Sequence, residues 1–241
     1  MINKLYLLRK IKALFVKFKL HKIFSSFEGT LLNLVYLSKI SRWAEQNKDM
    51  QFNDFYSKNW DYSKRYKLYN FIFKSENLHE AITYLEFGVA GGLSFKWWVE
   101  NNKNNDSRFY GFDTFEGLPE DWGDFKAGDM STNSQFPVLN DNRAEFIKGL
   151  FQKSLPQFLK EHKTNNRKVI HMDADLYSST LYCLTSLAPY LNKDDIILFD
   201  EFTVPQHEFL AFKNFTESYY LKFQLIAAAN NYFFSAFKLI E

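Results

Sequence analysis

Four carboxylates stand where two short apolar runs end. Asp173 and Asp175 follow the run 168–172, and Asp200 and Glu201 follow the run 195–199. Continuous apolar runs of this length read as strands buried on both faces. The acids then occupy the carboxyl edge of an open α/β sheet, where such folds bind ligands. Carboxylates so crowded repel one another unless some are protonated or a cation intervenes. An all-oxygen set suits Mg²⁺, which takes few protein carboxylates and keeps waters or substrate oxygens. A cation there would dock vicinal hydroxyls and lower the pKa of one. Asp175 and His207 are the groups placed to act as acid or base on that hydroxyl. The plainer readings are that Asp175 or Glu201 caps the helix after it, that His207 is a surface residue, and that His171 is a structural residue inside its strand.

A second constellation lies upstream. Tyr84-Leu85-Glu86-Phe87 leads into Gly88-Val89-Ala90-Gly91-Gly92 and then through Ser94 into Phe95-Lys96-Trp97-Trp98-Val99. This is a strand, a glycine-rich turn and a helix start. The turn lets backbone N–H groups approach a ligand closely. Asp113 lies 22 residues beyond Gly91, at the end of the strand-like run Phe109-Tyr110-Gly111-Phe112. A carboxylate at the tip of the neighbouring strand can bind two ribose hydroxyls. Glycine turn and distal acid together favour an adenosine-containing ligand. The Glu-x-Gly-x-x-Gly-Gly spacing differs from the Gly-x-Gly-x-x-Gly of dinucleotide enzymes, which argues against an NAD-dependent oxidoreductase.

These residues also resemble a known family. Glu86-Phe87-Gly88-Val89 with Gly91-Gly92, Gly111-Phe112-Asp113-Thr114-Phe115-Glu116-Gly117-Leu118-Pro119, Met172-Asp173-Ala174-Asp175-Leu176-Tyr177-Ser178-Ser179-Thr180 and Phe199-Asp200-Glu201-Phe202 occur in family order. The chain resembles class I S-adenosylmethionine-dependent methyltransferases, and within them the macrocin O-methyltransferase (TylF-like) sugar O-methyltransferases. The resemblance implies S-adenosylmethionine at Glu86, Gly88, Gly91, Ser94 and Asp113. It implies a divalent cation, Mg²⁺, on Asp173, Asp200 and Glu201, although the family usually carries Asp-Asp where this chain has Asp200-Glu201. The acceptor it implies is a small molecule or glycan, methylated on a sugar hydroxyl. A catechol or phenol acceptor is the alternative reaction, and a non-catalytic adenosine-ligand module the alternative class. The carboxylate group argues against the latter, since a binding module needs no metal site.

Periodicity locates the secondary structure around these residues. Strands are expected near 84–87, 109–112, 143–147, 168–172 and 195–199. Helices are expected over 31–47, 53–74, 155–162 after an N-cap at Ser154, from Ser178 or Ser179 to about 191, and 206–217. The runs 222–228 and 232–238, joined through Ala229-Asn230-Asn231, read as a β-hairpin. The fold class is therefore α/β, a Rossmann-like doubly wound and mostly parallel sheet; the family resemblance implies closure by the antiparallel C-terminal hairpin. Between Glu116 and Asn142 the chain is rich in Gly, Pro, Asp and Asn, an irregular stretch placed to act as a lid beside the site.

The division expected is an N-terminal helical segment over 1–75 and a methyltransferase domain over 76–241. Lys4, Arg9, Lys10, Lys12, Lys17, Lys19 and Lys22 precede the first acid, Glu28. Leu7, Leu8, Ile11, Leu14, Phe15 and Phe18 share one side of a helix. Residues 1–24 therefore form either an interfacial membrane helix, giving peripheral membrane contact, or a helix docked on its own domain or on a second subunit, giving a homo-oligomer. Composition bounds the rest. Apolar residues make up 46% of the 241, enough for a sizeable core, and a net charge of +2 gives no nucleic-acid partner. One cysteine, Cys183, excludes an intramolecular disulfide framework and a cysteine zinc site. No apolar stretch reaches the roughly 20 residues of a membrane span and no signal-peptide pattern is present. The expected location is the cytoplasm, with the inner face of a membrane if the first helix binds lipid.

Overall fold

The computed structural model describes residues 4–162 and 165–241. Its strands are β1 (Phe52–Asn53), β2 (Ile82–Phe87), β3 (Arg108–Asp113), β4 (Ala144–Lys148), β5 (Arg167–Met172), β6 (Ile196–Phe199), β7 (Phe223–Ala229) and β8 (Phe234–Leu239). They form one sheet in the order β1-β7-β8-β6-β5-β2-β3-β4. Among the described strands only β8 runs against its neighbours, pairing antiparallel with both β6 and β7. The expected Rossmann-like sheet and C-terminal hairpin are both present. β2 pairs with β3 on one side and β5 on the other, so the strand order reverses between β2 and β5. Ligands of open α/β sheets bind at such a switch point, outside the carboxyl ends of the strands.

The sheet buries both faces. β2 is buried at all six positions and β6 at all four. Alternate residues of each strand enter separate cores. Leu85, Phe87, Ile170, Met172, Ile197 and Phe199 face one; Tyr84, Val169, Ile196 and Leu198 face the other. The first core is covered by α6 (Phe151–Glu161), α7 (Tyr177–Leu187) and α8 (Glu208–Tyr219), and the second by α4 (Lys64–Ser75) and α5 (Leu93–Asn101). Cys183 lies buried on α7 as an unpaired thiol.

Three local expectations are corrected. The stretch 53–74 is not one helix: β1 is followed by an irregular run, and α4 starts only at Lys64. The cause is polar side chains that satisfy the backbone in non-helical ways. Asp61 accepts from the Ser63 N–H and hydroxyl, while Asn231 and Asn230 accept from the N–H groups of Ser57 and Asp61. The helix expected at 155 begins four residues earlier, at Phe151 after Leu150, because Phe151, Leu155, Phe158 and Leu159 form its apolar stripe. Ser154 lies inside it and donates back to the Leu150 carbonyl. Neither Ser178 nor Ser179 caps α7, which begins at Tyr177 after Leu176 with no side-chain cap.

The N-terminal segment is exposed at its start and packed at its end. α1 (Lys4–Lys17) contains no buried residue, α2 (His21–Phe24) none, and α3 (Glu28–Gln46) only Ile40. Near the end of α3 Trp43 packs its ring against Phe202, Phe209, Tyr232 and Phe237. β1 lies on the sheet edge, and Ile40 and α4 contribute to the two cores, so these parts of the N-terminal segment pack on the sheet. No helix of the described residues is long and apolar enough to cross a membrane.

Glu76, at the end of α4, ties that helix to the sheet. Its carboxylate accepts from Arg167 of β5 at 2.7 Å and from Lys238 of β8 at 2.9 Å. Burial works against the charge, but the hydrogen bonds from Arg167 and Lys238 outweigh it and hold the carboxyl below the ordinary glutamate value. A depressed folded-state value stabilises above the unfolded one and loses that contribution as pH falls through the folded one. Glu76→Gln should therefore cost about 1.5–3 kcal/mol at pH 7. Urea unfolding at pH 7 and again well below pH 4.5 should show the deficit shrinking in acid.

Candidate active site

The turn after β2 is shaped by a close backbone crossing. Gly88 has φ +92°, and a Cβ on it would overlap the Asp173 carbonyl. The crossing is fixed by hydrogen bonds, Gly88 N–H to the Phe112 carbonyl and Asp173 N–H to the Phe87 carbonyl, each 2.9 Å. The carboxyl ends of β2, β3 and β5 are thereby drawn together. Asp113, the last residue of β3, closes the turn. One of its oxygens accepts from the Val89 and Ala90 N–H groups, both at 2.8 Å, and the other from Phe115 N–H at 2.7 Å.

A cavity of ≈ 510 Å³ opens at this edge, over the switch point. Gly88, Asp113, Asp173, Asp175, Asp200 and Glu201 line it, so two constellations read separately from the sequence share one chamber. Leu118, Pro119, Glu120 and Met130, from the irregular stretch expected to be a lid, form part of its wall. Glu120 there accepts a hydrogen bond from Ser178 at the start of α7.

The remaining expected residues lie elsewhere. Glu86 is fully buried behind the turn and accepts from the Tyr84 hydroxyl and from Ser94 Oγ at 3.2 Å. Ser94 is therefore also buried, holding the start of α5 to β2. Gly91 is exposed and outside the cavity lining. His207 is half-buried outside the lining as well; its Nδ1 faces the Tyr177 N–H at 3.3 Å, and burial pushes its pKa below the ordinary histidine value. The capping readings of Asp175 and Glu201 fail, since neither α7 nor α8 has a side-chain cap.

Two cations that the sequence reading did not place at the site sit among the acids. Arg65 of α4 donates to Asp200 at 2.6 Å in a mostly buried ion pair, 135 positions apart in the chain. His171 is the register partner of Glu86 on the adjacent strand. Its ring lies 3.0 Å from the Tyr84 hydroxyl, 3.6 Å from Glu86 and 3.8 Å from Asp200. Burial alone would lower its pKa, but Asp200 and Glu86 raise it to about 10, so the ring is an imidazolium at neutral pH. No local signal marks Arg65, because its partner lies far along the chain. His171 is legible in the sequence as a buried strand histidine; its charge comes from two strands it does not belong to.

These cations do not neutralise the group. Burial together with the charges of Asp200 and Asp175 holds Asp173 well above the ordinary carboxylate range. Burial, Asp200 and Asp113 bring Asp175 to about 7, and burial, Asp175 and Asp200 bring Glu201 to about 8. Such values mark a cluster that favours bound protons or a further cation. Ring or carboxylate atoms of His171, Asp173 and Asp200 lie within 4.8 Å of one another; a cation there would take the carboxylate oxygens, and the His171 ring could ligate it only after losing its proton.

A methyltransferase-domain family profile matches residues 85–202, from β2 through the residues after β6. Residues 85–202 are a methyltransferase domain. The 8-demethyl-8-(2,3-dimethoxy-alpha-L-rhamnosyl)-tetracenomycin-C 4'-O-methyltransferase of Streptomyces olivaceus is 28% identical over 141 residues, covering 50% of this chain and 52% of its own. The chain thus spans about half the length of this curated relative. The crystal structure of the calicheamicin methyltransferase CalS11 superposes with a TM-score of 0.57 at 21% identity, over 74% of this chain and 78% of its own. That of the O-methyltransferase NovP gives 0.52 at 15% identity, over 74% and 80%. At these identities the structures establish a shared fold, and the methyltransferase domain here has it.

The clasp of Asp113 on the glycine turn carries a prediction. Asparagine would turn an N–H donor toward backbone donors at one of the two oxygens. Asp113→Asn should lower stability by about 1–3 kcal/mol and weaken S-adenosylhomocysteine binding at least about tenfold, read by calorimetry. Unchanged affinity would place the nucleoside outside this turn.

Proposed function

We propose that the protein is an S-adenosylmethionine-dependent O-methyltransferase that methylates a sugar hydroxyl in a glycan or a glycosylated natural product. The observation that carries this reading is the single chamber of the methyltransferase domain, in which the Gly88–Asp113 turn faces Asp173, Asp175, Asp200 and Glu201. The named reaction of the Streptomyces relative, methylation of a rhamnosyl group, supports a sugar acceptor.

The chemistry of the carboxylates suits a divalent cation, with Asp173 and Asp200 close enough to share one and Glu201 on the same cavity wall but outside that group. Asp173, Asp200 and Glu201 line the cavity, and burial, with the neighbouring carboxylates adding to it, raises Asp173 and Glu201, so a bound cation would relieve the group. When bound, Mg²⁺ would supply Lewis acidity toward the acceptor hydroxyl. The chain's own groups do the rest. The Gly88 turn holds the donor's nucleoside with Asp113, which keeps the turn in shape. Arg65 holds Asp200 in place and keeps its charge compensated. Asp175, brought to about 7, is poised to accept the hydroxyl proton. The oxygen then attacks the sulfonium methyl carbon as the carbon–sulfur bond breaks, and orientation of the two partners in one chamber supplies much of the rate.

The assay is transfer of labelled methyl from S-adenosylmethionine to a panel of free, nucleotide-linked and aglycone-linked sugars. Asp175→Asn should lower turnover roughly 10²–10⁴-fold while leaving S-adenosylhomocysteine affinity within about twofold, since the nucleoside contacts lie on the β2 and β3 side of the chamber. Excess EDTA should abolish transfer and Mg²⁺ restore it. Full turnover in EDTA would contradict the cation; transfer only to catechols would contradict the sugar.

A further inference from the structure

The first helices present a surface that the methyl-transfer site does not use. On α1 Leu7, Leu8, Ile11, Leu14 and Phe15 are each at least 38% exposed, although they share one side of the helix. The exposed apolar character continues through Ile23 and Phe24 of α2 and Leu31 and Leu34 of α3, and packing onto the core begins only at Ile40. The same stretch carries Lys4, Arg9, Lys10, Lys12, Lys17, Lys19 and Lys22 with no acid before Glu28. The cationic side chains lie along ring faces: Lys10 Nζ is 5.0 Å from the Tyr6 ring centre and Lys17 Nζ 5.6 Å from that of Phe18. Their stems follow the apolar surface while the charged ends stay in water.

We propose that α1 and α2 are a lipid-binding arm that lies in the plane of an anionic phospholipid bilayer, its apolar side among the acyl chains and its lysines at the headgroup phosphates. The charge selects this occupant. A two-fold pairing with a second copy would bring the same patch onto itself, setting seven positive charges against seven with no acid in the segment to relieve them. Nucleic acid would answer the lysines but leave the exposed leucines and phenylalanines in water. An anionic bilayer answers both the charge and the apolar area. Crossing the bilayer is excluded by the described helices themselves, none of which is long and apolar enough. The inference stands apart from the proposed reaction, because vesicle binding needs neither methyl donor nor acceptor.

The test uses the full chain in vesicle flotation, with phosphatidylcholine alone and with phosphatidylcholine containing phosphatidylglycerol. The protein should float with the phosphatidylglycerol vesicles and not with phosphatidylcholine alone. Raising NaCl from 0.1 to 1 M, which shortens screening from about 10 to about 3 Å, should lower binding about tenfold or more. The variant Leu8→Asp/Phe15→Asp and the variant Lys10→Glu/Lys12→Glu/Lys17→Glu should each lose about tenfold or more in binding. All five side chains are exposed, so thermal unfolding and S-adenosylhomocysteine affinity should match the parent. Three results would overturn the proposal: no flotation of the parent, flotation unchanged in the Leu8→Asp/Phe15→Asp variant, or light scattering that shows a dimer dispersed by that variant with no vesicle binding in either form.

Discussion

The structure depends on a buried row of charges that joins four elements. Arg65 of α4 pairs with Asp200 after β6, His171 of β5 stands between Asp200 and Glu86, and Glu86 of β2 is tied through Ser94 to α5. Buried ions are costly to desolvate, and breaking such a row by removing one partner leaves an uncompensated charge. The row thereby fixes where α4 lies on the sheet and how β2 and β5 meet at the switch point. It also leaves a remainder. Asp173, Asp175 and Glu201 share the same edge, and burial together with the neighbouring carboxylates raises their pKa values. Scaffold and chamber meet at Asp200, which belongs to both.

Glu208 extends this pattern behind the chamber. It is fully buried at the start of α8, with one carboxylate oxygen accepting from the Glu201 N–H at 2.9 Å and the other without a partner. Burial pushes its pKa well above the ordinary glutamate value, which favours the neutral form. Its effect on the site is exerted through the backbone of Glu201. The aromatic richness of the chain has a similar structural use. Trp43, Phe199, Phe202, Phe212 and Phe237 form a ring cluster behind β6 and β8. Phe202 belongs to it directly after Glu201, so packing on the far side of the sheet sets the position of the acids.

The sheet was legible because its strands are short apolar runs whose ends are marked by Gly88, Asp113, Asp173 and Asp200. The shared chamber followed from the rule that parallel strands present their carboxyl ends on one edge. Sequence pattern could not carry contact between distant residues. Arg65 reaches Asp200 from a stretch whose helical start was hidden by Asp61 and by asparagines on the β7–β8 connection. Asp113 read correctly as the tip of its strand, but its hold on the Val89 and Ala90 amides is a consequence of the turn's folded shape. Glu86 and Ser94 read as cofactor-binding residues from the turn motif; that both are buried and hydrogen-bonded to each other behind it is set by the fold. β1, only two residues long, has no period to detect; it exists because β7 offers it an edge.

Fold alone does not decide activity, since one sheet topology hosts many reactions. What supports methyl transfer here is the family match together with one cavity that joins the Gly88–Asp113 turn to the carboxylate group. The most direct measurement is a crystal structure of the full chain with S-adenosylhomocysteine. The account predicts the ligand in the ≈ 510 Å³ chamber, its nucleoside against Gly88 and Asp113 and its sulfur turned toward Asp173 and Asp175. A ligand bound outside that chamber, or a chamber left empty at saturating ligand, would contradict it.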